Sequence, residues 1–158
     1  MRTSFRTAVF ASAFAVFPAC AGLQPVQRVA VANPPGPVAV SVLREGCSQN
    51  VDPQWPGADL VEATVEARVS NQTGDALVVR RDGFRLMAPD GRELRTSTWG
   101  ADQPIALGAG QSQTFQLRFD DRGGLSCSGE MRLAAPAAVM KGGEVVQVAA
   151  VSFRPSGA

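Results

Sequence analysis

The sequence contains no histidine and no tyrosine among its 158 residues. Histidine is the most frequent general base and transition-metal ligand in proteins, and tyrosine is a frequent proton donor. A hydrolase that uses a serine activated by histidine is therefore excluded. Cysteine is also scarce, and the spacing of the three cysteines matches no metal-binding motif. We predict a protein that is not an enzyme and that holds neither a metal ion nor a cofactor.

Charged residues make up only 18% of the chain, and the formal net charge is +1. Without Arg2 and Arg6, which lie in the first 19 residues, 13 basic residues remain against 14 acidic ones. Such a balance provides no excess of positive charge for a phosphate backbone. The composition therefore predicts that nucleic acid is not a partner.

The N-terminus has the pattern of an export signal. Arg2 and Arg6 precede an apolar run from Ala8 to Phe17, which is too short to cross a bilayer as a helix. Cys20 follows a small residue at the end of this run, in a pattern that resembles the lipobox of bacterial lipoproteins. The resemblance implies a signal peptide of residues 1–19 and a lipid anchor on Cys20. It further implies a location on the periplasmic side of the cell envelope, at the outer membrane.

A second cleavage site stays open. Phe17 and Pro18 depart from the leucine and small residue of the usual lipobox. Ala19-Cys20-Ala21 also fits the pattern that the ordinary signal peptidase cleaves, here before Gly22. With either cleavage site, the stretch of residues 20–37 is rich in proline and small residues and is predicted to be a flexible tether.

Alternation of apolar and polar residues is the main pattern of the remaining chain. From Val61 to Val69 every second residue is apolar, and Phe115 to Phe119 shows the same period of two. Turn signals recur about every 8 to 12 residues, and no helical period of useful length is present. The pattern predicts one all-β domain over residues 38–155, a single antiparallel β-sandwich of about seven to nine short strands. The polar stretch from Glu45 to Asp59 is predicted to be a loop.

A family resemblance rests on three parts of this pattern. They are the strand end Val69-Ser70-Asn71, the pair Phe84-Arg85-Leu86 and Pro89-Asp90-Gly91, and Leu107-Gly108-Ala109-Gly110 ahead of the strand Phe115 to Phe119. Over about residues 60–120 the chain resembles the immunoglobulin-like domains of secreted bacterial proteins that are called telokin-like. The resemblance implies a structural or binding role and carries no catalytic residue.

Cys47 and Cys127 remain after Cys20 is assigned, and two cysteines of an exported protein most often pair. A disulfide between them requires that both lie at the same end of the sandwich. If consecutive strands alternate in direction, this holds only when Arg81-Asp82-Gly83 divides residues 76–87 into two strands. We therefore predict a chain reversal at or beside Gly83.

Trp55 and Trp99 lie in predicted loops and are the candidate binding residues. They either form an aromatic platform for a ligand or cap the end of the sandwich, and capping is the interpretation that we favour. Glu62 and Glu66 belong to the solvent row of a strand and are predicted to face cross-strand arginines such as Arg80 or Arg85.

The predicted function is that of a non-enzymatic bacterial envelope lipoprotein. Its membrane-tethered sandwich would bind or brace another envelope component, such as an envelope protein. The alternative is a small-ligand module for carbohydrate or calcium that uses the Trp-bearing loops.

Overall fold

The computed structural model describes residues 36–52, 54 and 59–155. The predicted signal peptide and Cys20 lie outside these residues, as do Trp55 and all of the predicted tether except its last two residues. The described part contains eleven strands, all paired antiparallel: β1 (Val38–Val51), β2 (Asp59–Asn71), β3 (Leu77–Val79), β4 (Arg85–Met87), β5 (Glu93–Arg95), β6 (Ile105–Leu107), β7 (Ser112–Asp121), β8 (Met131–Ala134), β9 (Val139–Lys141), β10 (Glu144–Val145) and β11 (Val151–Phe153).

The strands form the two layers of a β-sandwich, as predicted. One layer is the sheet β1-β2-β7, built from the three longest strands. The other consists of two four-stranded sheets, in the orders β10-β9-β3-β6 and β11-β8-β4-β5. The apolar rows predicted from alternation are buried, including Val61 to Val69 on β2 and Phe115 to Phe119 on β7. They pack with Leu77, Leu86 and Leu133 of the second layer in one core.

The predicted chain reversal at Gly83 is wrong. Val79 pairs with Val139 and Arg85 pairs with Ala134, so the chain resumes the same antiparallel ladder beyond the short 3-10 turn Arg81–Gly83. The turn interrupts a strand without reversing it. Glycine is required there because a Cβ atom on residue 83 would lie 2.4 Å from backbone atoms of Ala137.

Contacts with β7 confirm the strand directions. The Arg92 guanidinium meets Asp121 at the end of β7, whereas the Ser97 N–H donates to the Arg118 carbonyl further back along the same strand. β5 therefore runs antiparallel to β7, and β4, its antiparallel neighbour, runs with β7. β6 also runs antiparallel to β7, because a reverse turn at Gly108 to Gln111 joins the two.

The disulfide is formed although the reversal is absent. Cys47 and Cys127 are bonded, with their Cα atoms 5.5 Å apart. The segment of residues 96–104 between β5 and β6 does not reverse the chain either. The chain therefore reverses neither at Gly83 nor at residues 96–104. Because two reversals fewer leave the direction of β7 unchanged, Cys127 still reaches Cys47. Joining the interrupted pairs β3–β4, β5–β6, β8–β9 and β10–β11 leaves seven strand lines, which is within the predicted range.

The stretch from Glu45 to Val51 is strand, not the predicted loop. β1 continues to Val51 and pairs with β2 along its length, with a register shift between Val42 and Arg44. A β-bulge at this point changes which face each residue occupies, so the alternation of Val38 to Val42 does not continue in phase. The alternation of apolar and polar residues therefore ends at the bulge, although the strand continues to Val51.

Asn71 lies at the end of the sandwich away from the disulfide, where β2 ends. Its side chain is only 1% exposed, and its Nδ2 donates to the carbonyls of Asp75, Leu107 and Gly108. Its Oδ1 accepts hydrogen bonds from the backbone N–H and the hydroxyl of Thr73. The turn after β2 is therefore held by the asparagine itself.

Candidate binding site

The outer face of the sheet β1-β2-β7 carries an ordered set of polar side chains. Because the apolar residues of β2 and β7 point into the core, the residues between them point outward. The strand register arranges these outward residues in three cross-strand rows, which are Arg44, Glu66 and Gln116, then Gly46, Thr64 and Arg118, then Ser48, Glu62 and Asp120. We call this surface the outer face.

The centre of the outer face forms a shallow depression, because the first two residues of its middle row, Gly46 and Thr64, are small. Gly46 lies opposite Thr64, and a Cβ atom on residue 46 would come within 2.9 Å of the Thr64 hydroxyl oxygen. A larger side chain at residue 46 would displace Thr64 and raise the floor. The glycine therefore keeps a depression between the charged residues of the rows on either side.

Ion pairs connect the charged residues of the outer face, both within a row and between rows. Arg118 lies 2.8 Å from Asp120 and 3.0 Å from Glu62, and Arg44 lies 3.6 Å from Glu66. The hydrogen bond to Asp120 raises the pKa of the Arg118 guanidinium above its usual value. Glu62 and Glu66 do lie in the solvent row, as predicted.

The predicted arginine partners of these glutamates are wrong. Arg80 instead binds Asp82, and Arg85 binds Glu93, because both arginines belong to the second layer. The sheet partner that brings Arg118 beside Glu62 is β7, and β7 lies about 50 residues further along the chain.

Trp99 stands at the β7 edge of the outer face, with 92% of its surface exposed. The interpretation that Trp99 caps the end of the sandwich is therefore wrong. The segment of residues 96–104 leaves the second layer between β5 and β6, about halfway along their common strand line. It is hydrogen-bonded to the free edge of β7. Consequently the indole emerges beside the sheet and not over its end.

Hydrogen bonds hold the backbone on both sides of Trp99. The Ser97 N–H donates to the Arg118 carbonyl at 2.7 Å, and the Arg118 N–H donates to the Thr98 hydroxyl at 2.8 Å. On the other side, Arg81 donates to the Gly100 carbonyl at 2.7 Å. Gly100 has φ of +63°, which glycine adopts without steric cost. The exposed ring is therefore presented from a fixed turn.

Trp99 and the outer face together border an open groove of about 530 Å³. Its lining includes Thr64 and Gln116 together with two basic residues, Arg44 and Arg118, and three acidic ones, Glu45, Glu62 and Glu66. The volume lies within the range of about 300 to 1,000 Å³ that is common for small-molecule sites. The groove combines an aromatic ring, hydrogen-bonding groups and a slight excess of negative charge.

A second depression, of about 420 Å³, lies near the far end of β1. Asp52 lines it and is only 1% exposed, with its Oδ1 accepting from the Gln54 N–H and its Oδ2 2.7 Å from the Arg122 Nε. The geometry at Oδ2 is that of an ion pair without a hydrogen bond.

Within the described ranges, no group of three or more cysteine or acidic side chains is arranged to hold a metal ion. The aspartates Asp52, Asp120 and Asp121 each have an arginine partner, which is Arg122, Arg118 and Arg92 respectively. A search of the same residues for a helix long and apolar enough to cross a membrane found none.

Comparison with known proteins identifies the fold. Neither a family model nor a curated protein matches the sequence. Among solved structures, the YjhA protein of Bacillus subtilis is similar with a TM-score of 0.55 and 13% identity, over 79% of this chain and 96% of that one. YcdA of Bacillus subtilis, a proposed lipoprotein, has a TM-score of 0.50 and 17% identity, over 80% of this chain and 39% of that one. These similarities show that the chain has a β-sandwich fold.

Proposed function

We propose that the protein is a non-enzymatic binding module of the bacterial envelope, tethered to the membrane through Cys20, that holds an envelope component on its outer face. The observation that carries the proposal is Trp99, a residue with 92% of its surface exposed next to a groove. Tryptophan is enriched among the residues that dominate binding energies, because a ring buried on binding removes a large apolar area from water. The telokin-like subtype of the immunoglobulin-like fold belongs to the same proposal.

The tether is supported by the export pattern of the sequence and by the disulfide. The cysteine pair Cys47 and Cys127 closes a loop of 80 residues, and such bonds persist in oxidising compartments outside the cytoplasm. With Cys20 lipidated, the chain would partition with detergent, and Cys20→Ser would release it into the soluble fraction. Equal partitioning of the two forms would favour cleavage before Gly22 and remove the anchor from the proposal.

Binding is tested by sedimentation of purified protein with envelope fragments. All proteins in this assay carry Cys20→Ser, so that no lipid anchor attaches them to the fragments, and wild type here means an otherwise unchanged chain. We expect the wild type to sediment with the fragments and Trp99→Ala to stay in the supernatant. Thr114→Ala is the matched control, because Thr114 points outward from β7 but does not line the groove. Equal sedimentation of all three proteins would show that the groove does not hold the envelope component.

Calcium is not the ligand that we propose, because the described carboxylates do not converge on a common point. The carbohydrate alternative has a specific observation in its favour, which is the groove itself.

A further inference from the structure

We infer that the groove beside Trp99 binds a neutral oligosaccharide. The inference rests on the proposed function, because it names the chemical class of the envelope component that the outer face would hold. Its four parts are the orientation of the aromatic ring, the hydrogen-bonding groups of the floor, the charge of the lining and the dimensions of the face.

The aromatic ring provides a stacking surface. Trp99 makes almost no contact with the rest of the protein, so both faces of its indole are in water. A pyranose ring presents axial C–H groups on one face and hydroxyl groups around its edge. Stacking these C–H groups on the indole buries apolar area while the hydroxyl groups remain free to bind polar partners. The fixed turn from Thr98 to Ala101 reduces the entropy lost when the ring is covered.

The floor provides partners for hydroxyl groups. In the described part of the chain, no hydrogen bond occupies the side-chain amide of Gln116 or the hydroxyl of Thr64. An amide and a hydroxyl each donate and accept, which matches the two roles of a sugar hydroxyl. The carboxylates of Glu62 and Glu66 flank Thr64 on the same strand and accept hydrogen bonds. Alternating donors and acceptors of this kind suit a ligand rich in hydroxyl groups.

The charge of the lining selects against acidic ligands. Two arginines and three glutamates border the groove, and both arginines already have carboxylate partners. An acidic sugar would meet a net negative surface and would have to compete for arginines that are engaged. A neutral sugar meets neither cost.

The dimensions fit a short chain of sugars. Three strands at a spacing of about 4.8 Å make the face about 10 Å wide. Three rows separated by two residues each make it about 14 Å long. The face therefore accommodates about two or three pyranose rings.

The inference is tested by NMR titration of isotope-labelled mature protein. The probes are three neutral trisaccharides, maltotriose, cellotriose and chitotriose, and one acidic trisaccharide, trigalacturonic acid. We expect at least one neutral probe to shift the indole N–H signal of Trp99 and the amide signals of Thr64 and Gln116. The acidic probe should bind at least about fivefold more weakly at low salt, and added salt should reduce this difference.

Variants assign the binding to the ring. Trp99→Ala should raise the Kd at least about tenfold, as followed by the Thr64 and Gln116 amides, whereas Trp99→Phe should raise it less because it keeps an aromatic face. Thr114→Ala should leave the Kd unchanged. All of these residues are on the surface, so thermal melts are expected to be unaltered.

Three results would overturn the inference. They are no shift with any neutral probe at about 10 mM, equal affinity of the wild type and Trp99→Ala, and tighter binding of the acidic probe. Failure here is distinguishable from failure of the proposed function. Trp99-dependent sedimentation with envelope fragments but without trisaccharide binding would leave the envelope role intact and show that the occupant is not a neutral oligosaccharide. Trisaccharide binding without sedimentation would leave the ligand class intact and remove the envelope role.

Discussion

Asn71 is the residue whose replacement gives the sharpest test of the fold. We consider Asn71→Asp, which keeps the shape of the side chain and the oxygen that accepts from Thr73. The change removes the NH2 group that donates to the carbonyls of Asp75, Leu107 and Gly108 at 2.8, 3.2 and 2.9 Å. In its place stands a charged oxygen that faces three other oxygens.

The cost follows from this geometry. Two N–H hydrogens are lost, and leaving a buried polar group without a partner costs about 1 to 3 kcal/mol. The Leu107 carbonyl is bonded in a buried environment, whereas the other two contacts are partly open to water. We therefore expect a loss of about 3 to 5 kcal/mol in the free energy of unfolding, out of a total of about 5 to 15 kcal/mol. At about 4 °C per kcal/mol, the melting temperature should fall by about 12 to 20 °C.

The assay is thermal unfolding of oxidised protein at pH 7, followed by circular dichroism. Thr73→Val is the control, since it removes only a hydroxyl that bonds at the rim of the same network and should cost about 1 kcal/mol or less. If Asn71→Asp melts within about 3 °C of the wild type, the buried network does not stabilise this end of the sandwich and the reasoning is refuted.

Further predictions concern the core, the strand interruption and acid. Val65→Asp should unfold the domain at room temperature whereas Glu66→Ala shifts its melting point by about 2 °C or less, and equal melting points would mean that the faces of β2 are reversed. Gly83→Ala should lower the free energy of unfolding by about 2 kcal/mol or more because its Cβ would overlap backbone atoms at 2.4 Å, and a silent change in urea titration would contradict this packing. A hydrogen bond from Arg80 lowers the pKa of the Asp82 carboxyl below its value in the unfolded chain. The ionised carboxylate therefore stabilises the fold at pH values above its unfolded pKa, and this contribution to the free energy of unfolding is lost as the pH falls below about 4. With no histidine to titrate, the melting point should be constant from about pH 5 to 8, and a step in that range would contradict this account.

The sequence was sufficient to predict the sandwich because burial of one face imposes a period of two. Val61 to Val69 and Phe115 to Phe119 show that period, and both are core rows of the sheet β1-β2-β7. The pairing of Cys47 with Cys127 was also accessible, because only two cysteines remain once Cys20 is assigned to the export signal. The first prediction depends on the local alternation of apolar and polar residues, and the second depends on the number of cysteines.

The strand directions were not accessible in the same way. The turn at Arg81–Gly83 contains residues that favour reversals, yet tertiary pairing with β8 and β9 carries the chain onward. The bulge in β1 likewise depends on its partner strand and leaves no apolar signal. The local composition indicates where a strand is interrupted. Whether the chain reverses at that point depends on the strand with which it pairs.

The binding groove depends on the same non-local information. The sequence placed Trp99 in a loop and Glu62 and Glu66 on a solvent face, but it provided no reason to bring them together. Their proximity comes from the bonds between the Trp99 segment and the edge of β7, which bring residues far apart in the chain beside β2. A sequence signal was present only in Trp99 itself, as a large apolar residue among polar and small neighbours.

The most direct test of the proposed binding surface is photo-crosslinking in living cells. A photoreactive p-benzoyl-phenylalanine replaces Gln116 on the outer face or, as a control, Ser152 on the exposed side of β11 in the opposite layer. The account predicts that irradiation gives an envelope adduct with the probe at residue 116, no adduct at residue 152, and loss of the adduct when Trp99→Ala is added. Equal adducts at both positions, or an adduct at residue 116 that persists without Trp99, would contradict the claim that this groove holds the envelope component.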